Sequence, residues 1–108
     1  MNHAWNPSEM PPRRLAPGVT AKIAFGEKLM FSLVTLAPDA VVPEHAHPHE
    51  QMGMMVSGEM ELTVAGRAHL LSGNEIYLVP GGVPHKAVAG PKGAVALDAF
   101  APPREEYK

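Results

Sequence analysis

The chain of 108 residues contains no cysteine. It therefore has no disulfide framework, no thiolate nucleophile and no thiolate metal site. An excess of charge of one sign is also absent, because nine basic and eleven acidic residues give a formal net charge of −2. A chain with this balance lacks the basic surface that binds nucleic acid or an anionic membrane, so we expect neither as a partner.

Long apolar runs are missing as well. The longest, Ile76–Val79 and Ala94–Leu97, have four residues each, whereas a membrane-spanning helix needs about 20. The first residues, Met1–Trp5, do not show the basic and then apolar pattern of a secretory signal peptide. These absences predict a cytoplasmic protein.

Turn-forming residues, by contrast, are abundant. The chain has 10 glycines and 12 prolines, where average usage would supply roughly 13 of the two together. Such a surplus in a chain long enough for one domain favours many short strands over a helical bundle. Residues 1–18 hold four of the prolines, which lack a backbone donor. We predict an extended N-terminal arm over residues 1–18 and one domain over residues 19–108.

Strand patterns follow the arm. Within Glu59–Val64 the apolar residues alternate with polar ones, which is the period of a half-buried strand. The leucine spacing of Lys28–Leu36 also suits a helix, but Gly26 before it and Pro38 after it favour a strand buried on both faces.

Turn signals divide the rest of the chain into further strands. Ser57-Gly58 and Ala65-Gly66 are predicted two-residue hairpin turns, and residues 72–74 and 80–82 are predicted turns before strands over 75–79 and 83–88. The last strand is predicted over 93–100. With seven to nine short strands, the predicted fold is all-β, a small antiparallel barrel or double-sheet jelly roll.

Histidines are the residues in this sequence best suited to bind a metal ion. Three of the six lie within five residues, at His45, His47 and His49. On an extended strand the first two point to one side, so both imidazoles can reach one ion. Gln51 could add a side-chain oxygen from the next strand, and His85 a third nitrogen. By itself a His-x-His pair is as often a surface feature as a metal site.

The wider pattern resembles the two signature motifs of the cupin superfamily. His45-x-His47 is followed by Gln51 and Gly58, with glutamine in the usual glutamate position, and this resembles the first motif. The second motif is resembled by Gly73 followed by Pro80-x-Gly82 and His85. Asp39 and Ala89 depart from the usual Gly and Asn, and one extra residue separates Gly73 from Pro80.

The resemblance implies that His45, His47, Gln51 and His85 hold a divalent transition metal, for which Ni, Zn, Mn and Fe(II) are all acceptable. Because every one of these ligands is neutral, the ion keeps its double charge. That favours a Lewis-acid role and an anionic small-molecule substrate over stabilisation of a trivalent redox state.

The C-terminal strand adds a second group of residues. Asp98 and Phe100 share one face, and Pro102-Pro103 ends the strand before Arg104, which could bind a carboxylate. Beside the metal motif, this tail resembles the small single-domain cupins that open the ring of unsaturated uronates. The resemblance implies that Asp98 moves a proton, Phe100 shapes the pocket and Arg104 holds the substrate carboxylate.

The predicted function is therefore a non-redox metalloenzyme that opens or isomerises an unsaturated sugar acid. The alternatives are a metal-dependent dioxygenase and a non-catalytic small-molecule-binding module, because one fold carries many functions. His49 is expected near the metal or exposed at a turn, and His69 is expected to be exposed.

A homodimer is also predicted. Met52, Met54 and Val56 lie on the strand face opposite Gln51, and two sheets of so short a chain cannot cover every apolar face.

Overall fold

The computed structural model describes residues 3–108, which form an antiparallel sheet of eight strands. A short 3₁₀ helix lies near each end of the chain, at Pro7–Glu9 and Glu105–Tyr107. The strands are β1 Arg13–Ala16, β2 Val19–Phe25, β3 Met30–Leu36, β4 Val41–His45, β5 Glu50–Val64, β6 Arg67–Leu71, β7 Ile76–Val79 and β8 His85–Ala101. No helix among the described residues is long and apolar enough to cross a membrane.

Two long strands connect the halves of the barrel. The first parts of β5 and the last parts of β8 pair within one half, in the order β1-β2-β3-β8-β5-β7. Their remaining parts pair within the other half, in the order β4-β8-β5-β6. The fold is thus all-β, with one sheet whose two halves share β5 and β8 and form a barrel, which confirms the predicted fold class.

The predicted hairpin turn at Ser57-Gly58 is wrong. The chain continues through these residues as one strand, and the β5–β8 register shifts on either side of them, between Met55 and Ser57 and between Gly58 and Met60. Gly58 has φ 74°, and a Cβ there would overlap the carbonyl oxygen of Gly93. Glycine is needed for a bend within the strand, not for a reversal of direction. The strands predicted over 83–88 and 93–100 likewise belong to one strand, β8.

β3 is a strand, as predicted, but it is not buried on both faces. Met30, Ser32 and Val34 are buried on its inner side, whereas Phe31 on the outer side is 55% exposed. The reason is that no other layer of the described chain packs against the outer face of this half of the barrel.

The core lies between the two halves. Its larger side chains come from β2, β3, β5, β6 and β7, whereas β8 contributes mainly small alanines, Ala87, Ala89, Ala94 and Ala96. A cavity of about 330 Å³ extends from this core to the end of the barrel where β4 ends and where β5 and β8 begin.

The N-terminal segment joins the sheet edge. Of the predicted arm, residues 1 and 2 lie outside the described residues, and Arg13–Ala16 pairs with β2 as the edge strand β1. The Arg13 guanidinium donates hydrogen bonds to the carbonyl oxygens of Glu106 (2.5 Å) and Lys108 (3.1 Å). Strand β1 and the last residues of the chain therefore meet at the edge of the sheet.

Candidate metal centre

Three histidines converge at the open end of the barrel. His45 ends β4 and lies directly opposite His85, the first residue of β8, and His47 follows β4. One nitrogen of each ring lies within 4.8 Å of a nitrogen of the other two. The ring centroids of His45 and His85 are 4.3 Å apart, and those of His47 and His85 are 4.9 Å apart. The structure thus brings together the three histidines that the sequence motifs singled out.

Backbone carbonyls orient all three rings. The Nδ1 atoms of His45 and His85 each lie 2.9 Å from a carbonyl oxygen, of Pro43 and Val83 respectively. His47 Nδ1 lies 3.2 Å from the carbonyl oxygen of His49. Since a carbonyl only accepts hydrogen bonds, each Nδ1 carries the proton and each Nε2 keeps its lone pair. Metal-binding histidines are commonly oriented in this way.

The histidines are also held in the form that binds a metal. Burial, followed by the nearby charges of Arg104, His85 and His45, lowers the pKa of His47 to about 4, although its bond to the His49 carbonyl opposes the shift. Burial lowers the pKa of His85 too, although its bond to the Val83 carbonyl opposes the shift. His85 Nε2 is buried and has no hydrogen-bond partner within residues 3–108. Neutral imidazoles with free, converging nitrogens fit a divalent transition metal.

Gln51 contributes an oxygen to the same group. Its Oε1 lies 3.2 Å from Nε2 of His47, so two atoms with free lone pairs face one another. The Gln51 side chain also hydrogen-bonds to Asp98, which lowers the pKa of that carboxyl. Because the carboxylate accepts from the amide nitrogen, the amide oxygen is directed toward the histidines. The donor set of three nitrogens and one oxygen is one that Zn, Ni, Mn or Fe(II) accepts.

A buried carboxyl lies deeper in the cavity. Asp98 is on the inner face of β8, and its Oδ1 accepts a hydrogen bond from the Tyr77 hydroxyl. Burial raises the pKa of Asp98 to about 6, although bonds from Tyr77 and Gln51 and the charge of Arg104 lower it. Burial, followed by the Asp98 charge, raises the pKa of Tyr77. A carboxyl in this range can both take up and release a proton near neutral pH.

Tyr77 was not singled out by the sequence reasoning. The pattern that could have identified it is the alternation within Ile76–Val79, which places Tyr77 and Val79 on the inner face of β7. A tyrosine buried in a strand needs a partner for its hydroxyl, so this residue pointed to a polar group inside the barrel.

The cavity mouth has one arginine. Arg104 is 9% exposed, and its Nε donates to Oε1 of Glu106 at 2.7 Å. Its guanidinium lies 4.1 Å from the centroid of the Tyr107 ring and 5.3 Å from that of Phe100. The two aromatic rings hold the cation at the mouth, where its charge faces the cavity that His45, Gln51, His85, Asp98 and Phe100 also line.

The remaining three histidines lie outside this cluster, and His3 is exposed near the N-terminus. His49 is half-buried beside the cluster, with its ring centroid 5.4 Å from that of His47. His69 on β6 is exposed, as predicted. Only His49 can therefore influence the metal centre.

Comparison with known proteins agrees with this geometry. The cupin domain family matches residues 32–100. The pectin degradation protein KdgF of Dickeya dadantii (strain 3937) is 28% identical over 101 residues, covering 92% of each chain. The structure of KdgF from Halomonas sp. has a TM-score of 0.93 and 28% identity, covering 100% of both chains. An RmlC-like cupin from Shewanella frigidimarina NCIMB 400 also has a TM-score of 0.93 and 28% identity, covering 100% of this chain and 97% of that chain.

Proposed function

The chain belongs to the cupin domain family, and we propose that it is a metal-dependent, non-redox enzyme that opens the ring of a small unsaturated sugar acid. One observation carries the proposal: a single cavity combines a neutral metal-binding group, a buried carboxyl with a raised pKa and an arginine at its mouth. The similarity to two KdgF proteins, one of them named for pectin degradation, supports a uronate as substrate.

Some residues of the cavity bind the metal and the substrate, and others transfer protons. When bound by His45, His47, Gln51 and His85, a divalent ion supplies Lewis-acid polarisation of a substrate oxygen. The Arg104 guanidinium binds the substrate carboxylate through two parallel hydrogen bonds, for which it must leave Glu106. Glu106 can move aside because its side chain is 55% exposed.

Ring opening of a cyclic hemiacetal is an isomerisation that needs proton transfer. The C–O bond of the ring breaks, the anomeric hydroxyl loses its proton, and the ring oxygen gains one, so all atoms stay in the product. Asp98 takes up the first proton at a carboxylate oxygen and returns it, while Tyr77 and Gln51 hold the carboxyl in position. The Phe100 ring lies against Arg104 and His47 and excludes water from this side.

The electrostatics suit an anion. The four proposed ligands are neutral, so the bound ion would keep its double charge, and Arg104 adds a further positive charge at the mouth. Both the bound ion and Arg104 attract a substrate with one negative charge. The carboxylate of that substrate replaces the carboxylate of Glu106 beside Arg104.

The deciding experiment is an anaerobic assay of the protein loaded with Zn or Ni, using an unsaturated uronate released from polygalacturonate by a lyase. We expect the ultraviolet absorbance of the conjugated double bond to disappear, because ring opening leaves an enol at the former ring oxygen, and this enol becomes a ketone when its hydroxyl proton is lost and a proton is taken up at the carbon of the double bond. Turnover that requires iron and consumes oxygen would instead indicate a dioxygenase. Binding without turnover would indicate a non-catalytic module, and either result would overturn the proposal.

We further propose that the protein is a homodimer. Two apolar rows cross the outer face of β3, β8, β5 and β7 in register. The first row is Phe31, Ala99, Met52 and Leu78, and the second is Leu33, Leu97, Met54 and Ile76. Because these rows contain no charged residue, a second copy can pack against them without burying charge, and a two-fold interface would cover both copies.

A further inference from the structure

Ser32 lies inside the barrel without a hydrogen-bond partner. It is on the inner face of β3, has no exposed surface, and lines the same cavity as Asp98 and the metal-binding group. No group in residues 3–108 hydrogen-bonds to its Oγ. Its inward neighbours along the strand, Met30 and Val34, are apolar. A buried hydroxyl in this position costs stability unless something pairs with it.

The serine belongs to a row of side chains across four strands. Ser32 pairs with Asp98, Asp98 with Gly53, and Gly53 with Tyr77. A Cβ on Gly53 would overlap both Asp98 Oδ1 and the Tyr77 ring, so the missing side chain is what lets the tyrosine reach the carboxyl. The hydrogen bonds to Asp98 therefore come from Tyr77 and Gln51. Ser32, at the other end of the row, is left without a partner among the described residues.

This row lies deeper than the groups at the mouth. Gln51 and Phe100 pair with one another two residues closer to the open end on β5 and β8. Two residues on a strand correspond to about 7 Å. A ligand that reaches from Arg104 and the histidines to Asp98 therefore meets Ser32 at the inner end of the cavity.

We propose that Ser32 Oγ binds a hydroxyl group of the ligand and selects hydroxylated ring acids over acids without hydroxyls. A serine hydroxyl both donates and accepts, as an alcohol does. This inference rests on the proposed function, since it takes the ligand to be a sugar acid. It assigns Ser32 a role separate from metal binding, from proton transfer and from holding the carboxylate.

The test compares two acids on the zinc-loaded protein by calorimetric titration. D-Galacturonate has a hydroxylated ring, and tetrahydropyran-2-carboxylate has the same ring size and carboxylate without hydroxyls. In Ser32→Ala we expect affinity for galacturonate to fall about 2- to 10-fold, the effect of one hydrogen bond. Affinity for the second acid should not change. The thermal midpoint of the free variant should equal or exceed that of the wild type, because an unpaired hydroxyl has been removed.

Two controls separate this effect from others. Ser57→Ala, at an exposed position on β5, should change neither affinity. Arg104→Ala should weaken binding of both acids. If Ser32→Ala does not fold, Ser32→Cys keeps the shape with a poorer hydrogen bond and must show the same selective loss.

The other outcomes count against the inference in distinguishable ways. If the wild type binds neither acid but turns over an unsaturated uronate, only the role of Ser32 is overturned. If it also fails to turn over the uronate, the proposed function fails and Ser32 loses its role with it. If the wild type binds galacturonate and the Ser32 variants weaken neither acid, or weaken both equally, only the role of Ser32 is overturned. A selective loss that comes with a lower thermal midpoint would show a structural role instead.

Discussion

The hydroxyl of Tyr77 donates a hydrogen bond to Oδ1 of Asp98, and the two side chains meet above Gly53. Gly53 pairs with both residues, so three neighbouring strands contribute to one contact. The contact holds a carboxyl inside the barrel, where burial raises its pKa to about 6. The protein thereby keeps a carboxyl that can exchange a proton near neutral pH, at a cost to its own stability.

Replacing His47 with alanine should abolish stoichiometric metal binding. The His47 ring completes the cluster of three, with its centroid 4.9 Å from that of His85 and 5.6 Å from that of His45. The rise in thermal midpoint that zinc gives to the wild type should disappear in the variant, because a metal stabilises only the folded state that binds it. Elemental analysis and thermal unfolding measure both effects. His69→Ala, at an exposed position, is the control, and a variant that retained one metal per chain would show that His47 is not a ligand.

Asp98→Asn should separate proton transfer from binding. The amide has nearly the same size and still accepts a bond from Tyr77, but it cannot exchange a proton near neutral pH. Turnover of an unsaturated uronate should fall at least about 100-fold, whereas metal content and KM change little. Steady-state kinetics with metal analysis would test this, and full activity would remove Asp98 from the mechanism.

The same variant should be more stable than the wild type at neutral pH. The pKa of Asp98 is raised from 3.8 to about 6, so the folded state binds its proton more tightly than the unfolded state does. Its contribution to the free energy of unfolding is therefore present below about pH 4 and is lost as pH rises through 6. Without metal, we expect Asp98→Asn to gain about 1–3 kcal/mol at pH 7 and nothing at pH 4.

Urea unfolding of both metal-free proteins between pH 4 and 8 measures this difference. His47 acts in the opposite direction, because its lowered pKa makes the folded state lose stability as pH falls below 6.5. Subtracting the two pH profiles removes the histidine contribution, which both proteins share. Equal stability of the two proteins at pH 7 would contradict the raised pKa.

Arg104→Ala should act on substrate binding. Loss of a hydrogen-bonded charge pair corresponds to about 10- to 150-fold in affinity, so KM should rise within that range while kcat changes less. Arg104→Lys keeps the charge but not the pair of parallel hydrogen bonds, so its KM should lie between those of the wild type and Arg104→Ala. The exposed Arg67→Ala is the control. An unchanged KM in Arg104→Ala would show that the carboxylate is held elsewhere.

Met52→Glu should convert the proposed dimer into a monomer. Met52 lies in the middle of the outer apolar rows and is 52% exposed, so a glutamate is tolerated by one chain but not between two. Light scattering at micromolar concentration measures the mass. Glu61→Gln, on the outer side of β5 in the other half of the barrel, should leave the mass unchanged. A wild type that is already monomeric would refute the interface.

Much of the fold and the metal centre followed from local patterns. The alternation of Glu59–Val64 indicated a strand, and the spacing of His45 and His47 indicated a shared ligand position. Such signals depend only on residues within a few positions of one another, since side-chain direction repeats every two residues in a strand. The resemblance of the two motifs strengthened the case for Gln51 and His85, which the structure brings to the same place.

Local patterns misjudged features that depend on strand pairing. Ser57-Gly58 has the composition of a hairpin turn, yet it is a bend in β5, because continuing into the second half of the barrel pairs more of the backbone than reversing would. Lys28–Leu36 looked buried on both faces because apolar residues alone do not show whether a second layer covers them.

What the sequence determined by itself was the fold class and the set of groups available for chemistry. The tertiary structure decided which of them meet, because the register between distant strands aligned Ser32, Asp98, Gly53 and Tyr77 in one row. A one-residue shift in any of these pairings would turn the side chains to the opposite face. The polar row inside the barrel is therefore a property of the assembled sheet, since no single strand contains more than one of its members.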